Sequence, residues 1–258
     1  WEYDTIEDTW TQLADFGGAK CYEAVAVAVG TKIYVGLGQI LSGRYDVFCK
    51  DWWAYDTLDD TWAQLTDFGG DALYRRTPVA AAVGTRIYAG LGGPWAYDWW
   101  AYDTLDDTWA QLTDFSTIGF GQSVAAATGG KVYVGTGYAT GSCRREWRGY
   151  DPVSDTWADL SPFPPVLGRR DAVAAAIGTK VYVGLGSDVG DNRKDWWEYD
   201  TIEDTWTQLA DFGGVQRISA VAAPIRGRVY LGTGYAGGAS PRNDWWVYDP
   251  AGVPWGIT

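Results

Sequence analysis

Short segments of small, β-branched and aromatic residues recur along the whole chain, each closed by glycine or aspartate, and they follow one another in a fixed order of four kinds. The first is rich in Ala and Val: Ala24 to Val29, Val79 to Val83, Val124 to Ala127, Ala172 to Ile177 and Ala220 to Ile225. The second reads Lys32-Ile33-Tyr34-Val35-Gly36, the third Asp51-Trp52-Trp53-Ala54-Tyr55-Asp56, and the fourth opens at Thr61-Trp62. Their content of β-branched and aromatic side chains predicts strands. No stretch carries a 3.6-residue apolar period long enough for a helix, so the chain is expected to be all β.

The order of segments is periodic. Tyr-Asp recurs at Tyr3, Tyr55, Tyr102, Tyr150, Tyr199 and Tyr248, and a Trp follows each Tyr seven positions later. Four antiparallel strands per unit of roughly 40 to 50 residues predict a β-propeller, with residues 1–258 in a single domain. Alanine suits the first strand because blades taper toward the axis, and Pro224 suits an innermost strand with one free edge. Paired tryptophans such as Trp52-Trp53 point to opposite sheet faces, so both faces must be buried between neighbouring blades. Five inner strand pairs stand against six outer pairs, because Trp1 to Leu13 and Trp246 to Thr258 both match the outer half. The preferred expectation is five blades closed by the terminal strands, with one hairpin in surplus. A six-bladed ring whose first inner strands lie upstream of Trp1 is the alternative.

Tyr-Asp, a polar turn and Thr-Trp, preceded by a Tyr-Val-Gly-x-Gly strand, resembles the Kelch repeat over essentially the whole chain. It departs from that pattern at Leu37-Gly38, Thr136-Gly137, Leu185-Gly186 and Thr233-Gly234, where Kelch units carry Gly-Gly; Leu91-Gly92-Gly93 comes nearest. The resemblance implies an arginine at the channel mouth, where some Kelch proteins bind acidic peptide segments. Arg75, Arg169 and Arg217 occupy one equivalent position before the first strand, followed by Arg76 and Arg170 in two units, while Cys21 and Phe120 take that position elsewhere. Guanidinium forks suit carboxylates and sulfates. Two readings stay open: a ligand-binding ring, or arginines that tie down neighbouring loop carbonyls.

Other candidates lie on the face formed by the second-to-third and fourth-to-first loops, called the top. Trp95 is the one tryptophan of 17 outside the three recurring core positions. The long loop Gln39 to Lys50 adds Arg44 and Tyr45, and the loop Tyr138 to Arg145 lies on the same face. Cys21 and Cys49 fall in top loops of one unit, as a candidate disulfide or as two separate thiols, with Cys143 left over. The bottom turns hold many acids, among them Asp56, Asp59, Asp60, Asp106 and Asp107; aspartate favours tight turns, and the ligand alternation of a calcium loop is missing.

Composition narrows the functions. The 20 Lys and Arg against 33 Asp and Glu give a net charge of −13, which repels a phosphate backbone and argues against nucleic acid. No run of 18 apolar residues is present to insert into a membrane. With no histidine there is no Ser-His-Asp triad, Cys-His pair or histidine metal site, and the copper chemistry of Kelch-type galactose oxidases does not carry over. No metal or other cofactor is expected. The expectation is a noncatalytic extracellular or cell-surface binding scaffold for a protein, acidic peptide or glycan. A self-assembling oligomer or filament subunit using the surplus hairpin, a propeller lectin and a carboxylate glycosidase are the alternatives.

Overall fold

The structure is a computed structural model that describes every residue except 43–44, 72–74, 238–239, 253 and 258, and describes residues 41, 42, 45 and 46 by backbone only. The described residues form strands, turns and loops without helix. Five sheets of four antiparallel strands make a five-bladed β-propeller. Blade 1 comprises Val25–Val29, Lys32–Gly36, Trp52–Asp56 and Thr61–Gln64; blade 2, Val79–Val83, Arg86–Gly90, Trp99–Asp103 and Thr108–Gln111. Blade 3 comprises Val124–Thr128, Lys131–Gly135, Trp147–Asp151 and Thr156–Asp159; blade 4, Val173–Ile177, Lys180–Gly184, Trp196–Asp200 and Thr205–Gln208. Blade 5 comprises Val221–Ile225, Arg228–Gly232, Trp245–Tyr248 and Gly256–Ile257.

Every blade is built from one continuous stretch of chain, interrupted in blades 1, 3 and 5 by a separate two-stranded hairpin between the second and third strands, so the expected closure by mixed terminal strands is not found. The reason lies in the local pairing: each Tyr-Asp strand turns directly back into its own Thr-Trp strand, as in Tyr55↔Trp62, and leaves no vacancy for a remote strand. Among the described residues the surplus hairpin, Glu2–Asp4 with Thr9–Thr11, pairs only with itself. It lies against blade 5, with the Tyr3 ring 6.2 Å from Tyr230 and the Trp10 ring 5.9 Å from Trp245. The chain then crosses to blade 1, where the Ala14 amide donates to Asp60 at 2.8 Å.

The blades are joined by aromatic side chains that interlock edge to face. Trp52 of blade 1 is fully buried and meets Tyr102 and Trp109 of blade 2 at 5.8 and 5.3 Å. The same geometry recurs between Trp99 and Trp157, and between Trp147 and Trp206. Such contacts add about 0.5–1.5 kcal/mol each beyond the area buried. The glycine ending each second strand belongs to this packing: a Cβ on Gly36 would stand 2.5 Å from Cε3 of Trp52 and 2.3 Å from the Asp51 carbonyl oxygen.

The bottom-turn acids secure the seams. Asp107 accepts the Tyr102 hydroxyl at 2.7 Å and the amide of Thr66, at the end of blade 1, at 2.9 Å. Asp60, Asp155 and Asp204 repeat this clasp. A second set caps its own turns, as when Asp103 accepts the Leu105 amide at 3.0 Å. The turn reading therefore describes these carboxylates.

Candidate functional site

A cleft of about 800 Å³ opens on the top face across blades 1 to 3. Its walls come from the segments that lead into the first strands and from the loops after the second strands. Tyr22 and Glu23 contribute from blade 1, Arg76 and Trp95 from blade 2, and Gln122 and Tyr138 from blade 3. Trp95 is 71% exposed, and Tyr22, Tyr97 and Tyr138 are also exposed. A fully stacked core does not leave four aromatic side chains in water around one concavity, so this cleft is the strongest candidate site.

The Trp95 loop is held firmly. Gly92 and Gly93 donate their amides to the Phe120 carbonyl at 2.7 and 3.0 Å, and Phe120 donates back to Ala96 at 3.3 Å. At Gly119 the two loops touch so closely that a Cβ would lie 2.2 Å from the Pro94 carbonyl carbon. Backbone bonding on this scale presents the indole on a rigid support rather than on a free loop.

At the axis, a smaller cavity of about 160 Å³ is lined by Glu23, Thr77, Gln122, Asp171 and Ser219, one from each blade. Glu23, Gln122, Asp171 and Ser219 all have φ between 52 and 58°, the left-handed region. Thr77 escapes it because Pro78 follows. Gln122 donates from Nε2 to the Asp171 carboxylate at 2.9 Å and accepts the Asp171 amide at its carbonyl at 3.1 Å; burial pushes the Asp171 carboxyl above its ordinary value, against the pull of Arg170 and Gln122.

The recurring arginines are placed differently from a ligand-binding ring. Arg75, Arg169 and Arg217 are at most 2% exposed. Arg169 donates to both carboxylate oxygens of Asp195 at 2.7 and 2.9 Å and to the Leu185 carbonyl at 2.7 Å. Arg217 does the same with Asp244 at 2.6 and 2.7 Å and with the Thr233 carbonyl at 3.0 Å, while Arg75 donates to Oδ1 of Asp98 and to the Leu91 carbonyl, each at 2.5 Å. Each lies over a phenylalanine, Phe68, Phe163 or Phe212. The second of the two readings, arginines that tie down loops, describes these three. In blade 1, where Cys21 stands in the arginine position, the buried Oδ1 of Asp51 has no hydrogen-bond partner.

Of the remaining candidates, Arg76 is exposed at the cleft, and Arg170 is half-buried with its guanidinium 5.3 Å from the Tyr138 ring. Arg44 lies outside the described residues; Tyr45 lies in the strand Tyr45–Phe48, its side chain outside the description. Cys21, Cys49 and Cys143 are free thiols, which corrects the candidate Cys21–Cys49 disulfide. Burial, then the Asp51 charge, raises the Cys49 thiol to about 11, so it stays protonated and unreactive at neutral pH. Tyr22 was not singled out from sequence. Its signal was its position, which matches Arg76 in the repeat.

No protein-family model matches this chain, and no curated protein matches it. The propeller stands on the sheets themselves, and Kelch remains a resemblance carried by the Tyr-Asp and Thr-Trp steps.

Proposed function

We propose that this propeller is a noncatalytic binding scaffold whose top-face cleft takes a carbohydrate. Propellers commonly serve as binding scaffolds. The observation that carries the carbohydrate reading is the cleft itself, with Trp95 and three exposed tyrosines around about 800 Å³. Flat aromatic faces pack against the C–H faces of a sugar ring, while Gln122, Glu23 and Arg76 offer donors and acceptors to its hydroxyls. An acidic peptide is the second reading. It rests on Arg76 and Arg170 now that the three buried arginines are occupied by their own aspartates. The acidic surface accords with an extracellular setting.

A glycan array and an array of acidic peptides test the two together. Trp95→Ala is expected to weaken glycan binding at least tenfold with an unchanged melting temperature, and Arg76→Ala to weaken it less. Selective binding of acidic peptides that Arg76→Ala abolishes would replace the carbohydrate reading, and full glycan binding by Trp95→Ala would end it.

A further inference from the structure

Four of the five blades place an aspartate directly before the first tryptophan of the third strand: Asp51, Asp98, Asp195 and Asp244. In blades 2, 4 and 5 that carboxylate forms a three-walled socket around a guanidinium. The walls in blade 2 are the Asp98 carboxylate, the Leu91 carbonyl and the Phe68 ring, whose centre lies 4.8 Å from the guanidinium carbon of Arg75. Asp195, Leu185 and Phe163 hold Arg169 in the same way, and Asp244, Thr233 and Phe212 hold Arg217. Blade 3 reaches the same balance by another route: with Phe120 at the arginine position, its acid is Glu146, and Arg144 of the adjoining loop pairs with it.

Blade 1 keeps all three walls. The Phe16 ring meets Trp62 at 4.9 Å, as Phe68 meets Trp109 and Phe212 meets Trp255. Leu37 has φ of 59°, where Leu91 and Leu185 have 57° and 58°, and its amide donates to the Asp51 carbonyl as that of Leu91 donates to Asp98. Asp51 accepts the Trp53 indole N–H at Oδ2, as Asp98 accepts that of Trp100.

What differs is the cation. Cys21 stands at the arginine position, a short neutral side chain whose thiol burial, then the Asp51 charge, keep protonated. The Cys49 thiol is directed to the Val47 carbonyl at 4.0 Å. Oδ1 of Asp51 is consequently buried without a hydrogen-bond partner, a desolvation penalty that a bound donor would relieve. Among the described residues, blade 1 alone supplies no guanidinium to this acid. The chain over the socket borders solvent, since Ala19 and Lys20 are exposed and Cys21 is only part-buried. The blade 2 socket likewise adjoins an open groove of about 770 Å³ lined by Arg75 and Asp98.

We propose that Phe16, Leu37 and Asp51, beside Cys21, form a binding site for a guanidinium group brought by another molecule, either the side chain of an arginine or a small guanidinium compound. A planar fork satisfies carboxylate and carbonyl together while its face lies on the aromatic ring, which a compact ammonium does not reproduce. The site shares no lining residue with the top-face cleft and does not depend on the function proposed for that cleft.

The test titrates millimolar methylguanidinium into the whole protein and follows the Trp53 indole N–H resonance and the melting temperature. A saturable shift with a raised melting temperature is expected, and methylammonium should produce neither. Asp51→Asn should weaken the response about tenfold or more. Cys21→Arg should fill the socket from within, raising the melting temperature and abolishing the response. Arg217→Ala, which removes the resident guanidinium of blade 5, provides a reference for how far methylguanidinium restores a socket of this kind. Tighter binding of the peptide Gly-Gly-Arg-Gly-Gly than of methylguanidinium would support the site with an arginine side chain as its ligand, and the reverse would support it with a small compound. Absence of a saturable shift, an equal response to methylammonium, or a response that survives Cys21→Arg would each overturn the proposal.

Discussion

Each buried arginine neutralises a carboxylate that also accepts an indole N–H, as Asp244 does from Trp246 at 2.8 Å. The Arg217 hydrogen bond holds the Asp244 carboxyl at about 2 against an ordinary 3.8. At Asp195 burial works upward, but Arg169 outweighs it and the carboxyl again titrates low. A folded value below the unfolded one makes this contribution complete above about pH 3.8 and lost as the pH falls toward 2. Arg217→Met leaves a partly buried carboxylate alone and should cost about 2 kcal/mol in urea unfolding at pH 7, less than the loss from a wholly enclosed pair because Asp244 is partly solvated. Adding Asp244→Leu should recover much of that loss and flatten the acid limb between pH 4 and 2. Unchanged stability of the single variant would mean that the pair contributes nothing net.

Strand pairs are held to one another through aspartates at strained turns. Asp60, Asp107, Asp155 and Asp204 all have φ of 52 or 53°, a conformation that aspartate tolerates better than most residues. Asp107→Ala leaves the buried Tyr102 hydroxyl and the Thr66 amide without their acceptor, for an expected loss of about 2–3 kcal/mol. Asp107→Asn keeps an acceptor oxygen and should lose under half as much; thermal melts of the two variants check the difference. The strands themselves were legible because alternation and the Tyr-Asp period report directly on local geometry. The role of Arg75, Arg169 and Arg217 was not, because their partners Asp98, Asp195 and Asp244 lie 23 to 27 residues away, across a loop whose fold the period does not encode. A trace of the pairing was present: each of these arginines shares its unit with an Asp before Trp-Trp, and the unit with Phe120 has Glu146 there instead.

At the scale of the molecule, uneven cover around the axis sets uneven protection. The innermost strands of blades 2 to 4 are packed on both faces, whereas Val25–Val29 and Val221–Ile225 each have one open face. Hydrogen exchange should therefore be fastest, among innermost strands, in those two, and slowest in Val124–Thr128. Equal protection in all five would show that the ring closes in solution. The count of five inner and six outer pairs was readable from the period, but the hairpin's place was not. It depends on the side contacts of Tyr3 and Trp10 with a blade more than 200 residues away.

The clasp that binds one blade to the next has a consequence for how such a chain changes over generations. Its acceptor and its donor sit at matching places where Asp60, Asp107, Asp155 and Asp204 stand, so those four junctions are interchangeable, whereas blade 5 carries Val253 in the acceptor's place. Duplication or loss of one whole unit among those that carry the aspartate leaves the surviving junctions between them matched. Copy number can therefore drift in this architecture without any single junction having to be reinvented.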